Sequence, residues 1–415
     1  MSRTDRHIPG GCSGGVVAVI VVIACSASAL RAAEGAARRV SPPPENETVL
    51  LGMSAALTGP TSSLGLGMRE GVEAAILEAN QAPAHAGRTL KLVALDDGYE
   101  PARTGPAMRQ LIEKEHVAAV IGNVGTPTAV AAIPIVNETH VPLVGCFTGA
   151  GNLRKTPPDR YVINYRASYA EETGAMVDAL VNVAGLEPTE IGFFTQRDAF
   201  GDAGFAGGIA ALKRHGLRDT SLVCQGRFER NTTNVDGGLA DLLSARTPVR
   251  AVIMVGTSAP CAEFIKAARR AGLEALFLNV SFVDAINLAE RLGPDGDGVI
   301  VTEVVPHFES EMAIVQDYRR ALAKLPDHSA PNFVSLEGYI AARLLVRALD
   351  KVERPVTSNA ITDALEHLGT FDLGMDEPLR LGPEEHQACH RVWPTKLAQG
   401  KVVPIEWNSL RDAKQ

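Results

Sequence analysis

The sequence predicts an α/β protein built as two doubly wound units with mostly parallel sheets. Two observations carry that expectation. Along most of the 415 residues, short valine- and isoleucine-rich runs alternate with stretches whose apolar residues recur at helical spacing. Such alternation demands right-handed crossovers between parallel strands, with helices on both faces of each sheet. The second observation is the loops after these runs, among them Thr58-Gly59-Pro60, Asn123-Val124-Gly125-Thr126 and Phe147-Thr148-Gly149-Ala150. Open parallel sheets bind ligands beyond the carboxyl ends of their strands. Small hydroxylic and glycine residues there expose backbone amides, suit a carboxylate and offer no nucleophile with a base beside it.

The chain opens with the parts of an export signal. Arg3, Arg6 and His7 precede the apolar run Val16 to Ala24, which is about half of the ~20 residues a membrane span needs. Two processing sites stay open: Ala27-Ser28-Ala29, suited to simple cleavage, and Val22-Ile23-Ala24-Cys25, which resembles a lipobox whose cysteine would be acylated. Residues 1–29 then read as a signal peptide, 30–47 with Pro42-Pro43-Pro44 as an extended tether, and the destination as the periplasm, free or anchored through Cys25.

Val49 to Ala56 is the first strand, and Val72, Ala75, Ile76 and Ala79 mark the helix after it. Thr89 to Leu95 is the second strand, followed by a helix through Met108, Leu111 and Ile112. Val117 to Ile121 is the third, a helix starts near Pro127, and Val141 to Val144 is the fourth. The pattern repeats at Ile191 to Phe194, Leu222 to Val223, Val249 to Val255 and Leu276 to Val280. Asp96 and Asp97 close a strand and are expected to cap a turn at the surface.

Composition excludes several functions. Forty Lys and Arg face 48 Asp and Glu, and the net charge of −8 with no basic tract argues against nucleic acid. Four cysteines remain after the leader, Cys146, Cys224, Cys261 and Cys389, widely spaced and without a CxxC pair, so they read as unpaired small hydrophobes. Gly65, Gly67 and Gly71 imitate a dinucleotide fingerprint, but residues 57–64 intervene between them and their strand, so no cofactor is expected. His386, Cys389 and His390 offer metal-ligand atoms; on a strand His386 and His390 would share a face, and with no further cluster nearby no metal is expected. HExxH does not occur, the one GxSxG match (Gly11 to Gly15) lies inside the export signal and is no strand-to-helix elbow, and no catalytic residue is assigned.

The motifs GMSAALTGPTSSLG, LDDGYEP, VIGNVGTPTAVA, VPLVGCFTGAGNLR, FFTQRDAFGDAG and AARRAGL, in that order and spacing, resemble the branched-chain amino-acid type of periplasmic solute-binding protein, the receptor of ABC importers. The resemblance implies the type I periplasmic-binding fold: two lobes joined by a three-crossing hinge near Tyr165 to Ser168, Val301 to Val305 and Phe371 to Glu377. Lobe 1 would be 48–166 plus 304–375, and lobe 2 167–303 plus 376–410. A monomer would hold a small carboxylated solute between the lobes and deliver it to a membrane permease. A sensor subunit of the same fold and a secreted α/β enzyme are the alternatives.

Carried over position by position, the ligand-contacting hydroxyl falls on Thr126, and the backbone-donor loop on Phe147, Thr148 and Gly149. The aromatic wall falls on Phe200. Tyr169, just past the first crossing, reads either as lining the cleft or as supporting the hinge. Leu64 and Thr257 stand where relatives have aromatic residues. Ser281 stands where an acid holds the ligand's ammonium group, leaving Asp198 and Glu303 as substitutes for that charge or a ligand without an ammonium. A cysteine pair of some relatives is replaced by Tyr99 and Gly125.

Overall fold

The apolar runs form strands because alternate residues can be buried on both faces of a helix-covered sheet. In the computed structural model, which describes residues 46–83 and 87–414, β1 (Glu47–Ala55), α1 (Ser62–Gln81), β2 (Arg88–Asp96), α2 (Pro101–Arg109), β3 (Ala119–Ile121), α3 (Thr126–Thr139), β4 (Leu143–Val144) and β5 (Val162–Ile163) build the first sheet and its cover. Its order is β2-β1-β3-β4-β5, and every pairing is parallel. The export signal and nearly all of the tether lie outside the described residues.

The second sheet follows with α4 (Tyr169–Asn182), β6 (Ile191–Gln196), α5 (Ala199–Arg214), β7 (Gln225–Phe228), α6 (Asp236–Leu243), β8 (Ala251–Val255), α7 (Ser258–Arg270), β9 (Leu276–Asn279), α8 (Ala285–Leu292) and β10 (Ile300–Glu303). The chain then returns to the first sheet with α9 (Ala313–Leu322), α10 (Phe333–Leu349) and α11 (Ser358–Glu366). A small hairpin, β11 (Gly369–Phe371) and β12 (Leu379–Leu381), leads to β13 (Trp393–Ala398) and β14 (Lys401–Pro404). These last two strands add antiparallel to the edge of the second sheet, whose order is β14-β13-β10-β9-β8-β6-β7. The fold is mixed α/β with two mostly parallel sheets, as the alternation required.

The second half repeats the first: β7-β6-β8-β9-β10 has the order of β2-β1-β3-β4-β5. Glycines recur at matching points. A Cβ on Gly65, at the start of α1, would lie 1.9 Å from the carbonyl oxygen of Ala56, and one on Gly201, at the start of α5, 1.9 Å from that of Gln196. Both helices begin pressed against the strand that feeds them. Gly67 and Gly71 have packing roles as well, since their Cβ atoms would meet Val334 and the carbonyl of Ser335 on α10.

Three details differ from the sequence reading. Thr220–Leu222 is a 3₁₀ turn, and the strand begins three residues later than expected, at Gln225. Asp97 is buried rather than at the surface, accepting from Ser54 Oγ, Thr104 Oγ1 and the Tyr99 amide. It closes the β1 and β2 ends from inside, while its neighbour Asp96 does the turn capping. Residues 386–390 are no regular strand, because only Gln387 bridges to Asn164. His386 is buried against Val162 O and His390 is exposed on Glu171, so they share neither a face nor a partner.

The chain passes between the sheets three times: from β5 to α4, from β10 to α9, and from the β11–β12 hairpin to β13. The first and last passages run side by side. Asn164 N–H donates to His386 O at 2.7 Å, Ala388 N–H to Asn164 O at 3.0 Å and Cys389 N–H to Tyr165 O at 2.7 Å. The last passage therefore crosses at 386–392 and not at 371–377, where the chain is still closing a hairpin.

Candidate functional site

Parallel strands deliver their carboxyl ends, with the loops that follow, to one edge of each sheet. From the first half come Leu64 on the first turn of α1, Thr126 at the start of α3 and Phe147 to Gly149 after β4. From the second half come Asp198 and Phe200 around the start of α5, Thr257 before α7 and Ser281 after β9. Tyr169 opens α4, just after the first passage.

The first-half contribution is hydroxylic. Thr126 Oγ1 and Thr148 Oγ1 are 2.6 Å apart and buried. The expected row of free amides is mostly spent. Phe147 N–H donates to Asn123 O at 2.8 Å, extending the β3–β4 pairing, and Thr148 N–H turns back to Cys146 O at 2.8 Å. Gly149 is left as the donor of that loop, and its own carbonyl accepts from Tyr169 N–H at 2.7 Å. Glycine is required at 149, since a Cβ would lie 2.5 Å from that amide nitrogen. The Tyr169 hydroxyl sits near Thr148 and the Gly149 amide without a hydrogen bond of normal geometry. Burial pushes this phenol up to about 12, against the pull of Arg166 and Thr148.

The second-half contribution is aromatic and charged. Phe200 packs on Tyr169 and Phe282, with ring centroids at 5.2 and 4.6 Å, and Phe282 reaches across to Phe147 at 5.3 Å and Tyr99 at 5.9 Å. The five rings form a continuous wall from one half to the other. Asp198 caps α5, accepting from Phe200 N–H at 3.0 Å, and is paired with Arg230 at 3.1 Å and bonded by Gln196 Nε2 at 2.7 Å. Arg230 also meets Glu100 of the first half at 3.0 Å. Asp198 is thus neutralised before any ligand arrives. Leu64 is buried, and Thr257 precedes α7 without capping it; neither joins the polar contacts of the wall.

Ser281 lies in a buried network that the sequence reading missed. Its N–H and Oγ donate to Glu172 at 2.8 and 3.0 Å, and Thr302 Oγ1 donates to Glu172 at 2.6 Å. Arg166, fully buried, donates to Ser281 Oγ and pairs with Glu172 at 3.0 Å and, more loosely, with Glu337 of α10 at 3.4 Å. Its guanidinium stacks over Phe147 at 5.1 Å and Tyr169 at 5.6 Å. One cation thus lies within electrostatic reach of three carboxyl groups, Glu172, Glu337 and Glu303. Burial pushes Glu337 up to about 7, with Arg166 opposing. Burial, then the charges of Glu172 and Asp284, push Glu303 well above the carboxylate range, and its Oε1 has no partner. Arg166, Glu172, Gln196, Arg230 and Phe282 left no local pattern to find. A charged residue at a strand end looks solvated until its partners from distant segments are known. In the sequence Tyr99 stands only where some relatives have a cysteine, whereas in the fold its ring rests on Gly125, where a Cβ would come within 2.1 Å.

Two doubly wound sheets of one order, thrice connected and facing a buried polar enclosure, define a periplasmic-type ligand-binding protein. The chain belongs to the periplasmic binding protein family, whose sequence profile matches residues 48–401. It is 48% identical to a crystal structure from Rhodopirellula baltica, called a possible leucine/isoleucine/valine-binding protein; the match covers 89% of this chain and 99% of that one, with a TM-score of 0.85. A branched-chain amino acid ABC transporter structure from Thermus thermophilus with bound valine shares the fold at 18% identity, covering 87% of this chain and 96% of that one, with a TM-score of 0.73. An amino acid binding protein of Pseudomonas aeruginosa is 21% identical over 71% of this chain and 78% of its own length. No helix among the described residues is long and apolar enough to cross a membrane.

Proposed function

We propose that this chain is the extracytoplasmic receptor of an ABC importer, which closes its two halves over an α-amino acid and presents it to a membrane permease. Two of the relatives above are named as binding proteins and the third as an ABC transporter with bound valine, and the loops described supply no nucleophile–base pair. The ligand carboxylate is received by Thr126, Thr148, the Gly149 amide and the Tyr169 hydroxyl, at the N-terminus of α3. The aromatic wall of Phe147, Phe200 and Phe282 receives an apolar side chain.

The observation that carries the amino-acid reading is the unpartnered Oε1 of Glu303, which the like charges of Glu172, Asp284 and Glu337 crowd and the guanidinium of Arg166 opposes. Buried charge must be matched, and a carboxyl group that lacks a counter-ion stays protonated. An arriving ammonium group supplies the missing cation and ionises Glu303. Ser281, already bonded to Glu172 and Arg166, is spent on holding that network, and Asp198 is spent on Arg230. Calorimetry with L-leucine and with its 2-keto analogue tests this. Wild type is expected to favour leucine by roughly two orders of magnitude and Glu303→Gln to erase that preference, a charge-assisted contact being worth about 1.5–3 kcal/mol. Tighter binding of the keto acid by wild type would overturn the amino-acid assignment.

A further inference from the structure

Arg154 lies in the loop after β4, and its guanidinium joins three separate stretches of chain. Nη1 donates to Thr148 O at 3.3 Å and Ala150 O at 3.0 Å, Nη2 to Arg166 O at 2.9 Å, and Nε to Gln387 Oε1 at 2.6 Å. The first two acceptors flank Gly149. The third is on the first passage between the halves, and the fourth is on the last. Gln387 carries the connection onward, since its Nε2 donates to Glu171 at 2.8 Å and to Cys389 O at 3.1 Å. Glu171 in turn accepts from Ser168 N–H and Oγ, both at 2.6 Å, at the start of α4.

Peptide planarity gives these bonds a directional consequence. The carbonyl of Thr148 and the N–H of Gly149 belong to one trans peptide unit and point in opposite directions. By holding the carbonyl on its own side, Arg154 aims the Gly149 N–H the other way, toward the Tyr169 hydroxyl. The same planar fork holds the carbonyl of Arg166, whose side chain is the cation of the enclosure. Lysine, with a single ammonium centre, cannot span four acceptors in this arrangement.

We propose that Arg154 is a positioning residue that couples the ligand-holding loop 147–150 to the two adjacent passages, so that filling the loop and closing the halves are one event. This rests on the solute-receptor reading for its ligand arm only. Arg154 itself does not touch the ligand; it sets the direction of the Gly149 amide and transmits the loop's position to residues 164–168 and 386–390.

Hydrogen exchange of the ligand-free protein and calorimetry with L-leucine test the coupling, on wild type, Arg154→Lys and Gln387→Ala. In Arg154→Lys the amides of Ala150, Tyr169 and Cys389 are expected to exchange faster together, by roughly tenfold or more, while β1 and β6 amides keep their rates. Leucine affinity is expected to fall by about tenfold, and the penalty of Thr126→Val to shrink in the Arg154→Lys background, as coupled sites require. Gln387→Ala, which cuts the link to the last passage and its onward bond to Glu171 but leaves the bonds of Arg154 to Thr148 O, Ala150 O and Arg166 O in place, is expected to speed Cys389 and leave Ala150 unchanged. Faster exchange confined to Ala150 in Arg154→Lys, or fully additive penalties with Thr126→Val, would overturn the coupling. Should Arg154→Lys fail to fold, Gln387→Ala decides alone: unchanged exchange at Cys389 rejects the link. Failure of wild type to bind leucine would count against the amino-acid reading and leave the exchange result to decide the coupling.

Discussion

The two halves share a scaffold and divide the chemistry. Their central strands have the same order, Gly52 and Gly192 occupy matching strands where a Cβ would meet packed side chains, and Gly65 and Gly201 bring α1 and α5 equally close to β1 and β6. The loops do not match. The first half offers the Thr126–Thr148 hydroxyl pair and the Gly149 amide. The second offers Phe200 and Phe282 and the buried contacts of Ser281 and Thr302 with Glu172. A helix-covered parallel sheet tolerates few backbone solutions, so the scaffold repeats. The loops beyond the strand ends carry no such constraint, and there the halves have become different.

This division predicts different consequences for substitutions on its two sides. The largest effect is expected for Arg166→Leu, which leaves the buried carboxylate of Glu172 without its cation. Breaking a buried pair from one side costs about 3–5 kcal/mol, which urea unfolding would register. An unchanged midpoint would mean that the charged network does not hold the second half's loops in place.

Gly65→Ala and Gly201→Ala come next and test whether the scaffolds are equivalent. Each places a methyl against a backbone carbonyl that cannot move aside, and each is expected to cost roughly 3 kcal/mol, the upper range for overpacking. Losses that differ by more than about 1 kcal/mol between the two variants would show that the matching positions are not equally tight.

Thr126→Val lies on the hydroxylic side and should separate binding from stability. Leucine affinity is expected to fall by about one to two orders of magnitude, the worth of a charge-assisted hydrogen bond. The melting temperature without ligand should change little, because the partner Thr148 keeps its bond to the Ala150 amide. Intact affinity in calorimetry would move the carboxylate elsewhere.

The smallest effect concerns the passages that join the halves. The hydrogen bond to Glu171, chiefly, raises the pKa of His390 above its usual 6.5. Burial raises Glu171, but bonds from His390, Ser168 and Gln387 outweigh it and bring it down to about 2. A raised histidine stabilises below its unfolded pKa and loses that contribution as pH rises through the folded value. A lowered carboxylate stabilises above its unfolded pKa of about 4.5 and loses that contribution as pH falls toward about 2. Relative to His390→Ala, wild type should therefore gain stability near pH 5 to 6 and lose the advantage as pH climbs above 7. The His390 side chain is 55% exposed, so screening limits the gain to about 1 kcal/mol or less. Thermal melts of both proteins from pH 5 to 9 would check the sign, and a gap that widens with pH would contradict it.

The sequence by itself determined the strand–helix alternation, the parallel sheets and the positions of the hydroxylic loops. Each follows from periodicity or turn chemistry within a few residues, which local sequence records. That Thr126 and Phe147 follow strand ends and that Phe200 opens a helix was legible, because those places are set by local turn and helix-start chemistry. Only the tertiary structure decided how polar groups are spent. Phe147 N–H went to Asn123, Asp198 to Arg230 and Ser281 to Glu172, and the last passage moved from 371–377 to 386–392. Arg166 meets Ser281 and Glu337 across 115 and 171 residues of chain. The charge of a buried group depends on its desolvation and on every neighbour within a few ångströms, and those neighbours are chosen by packing and not by adjacency in sequence.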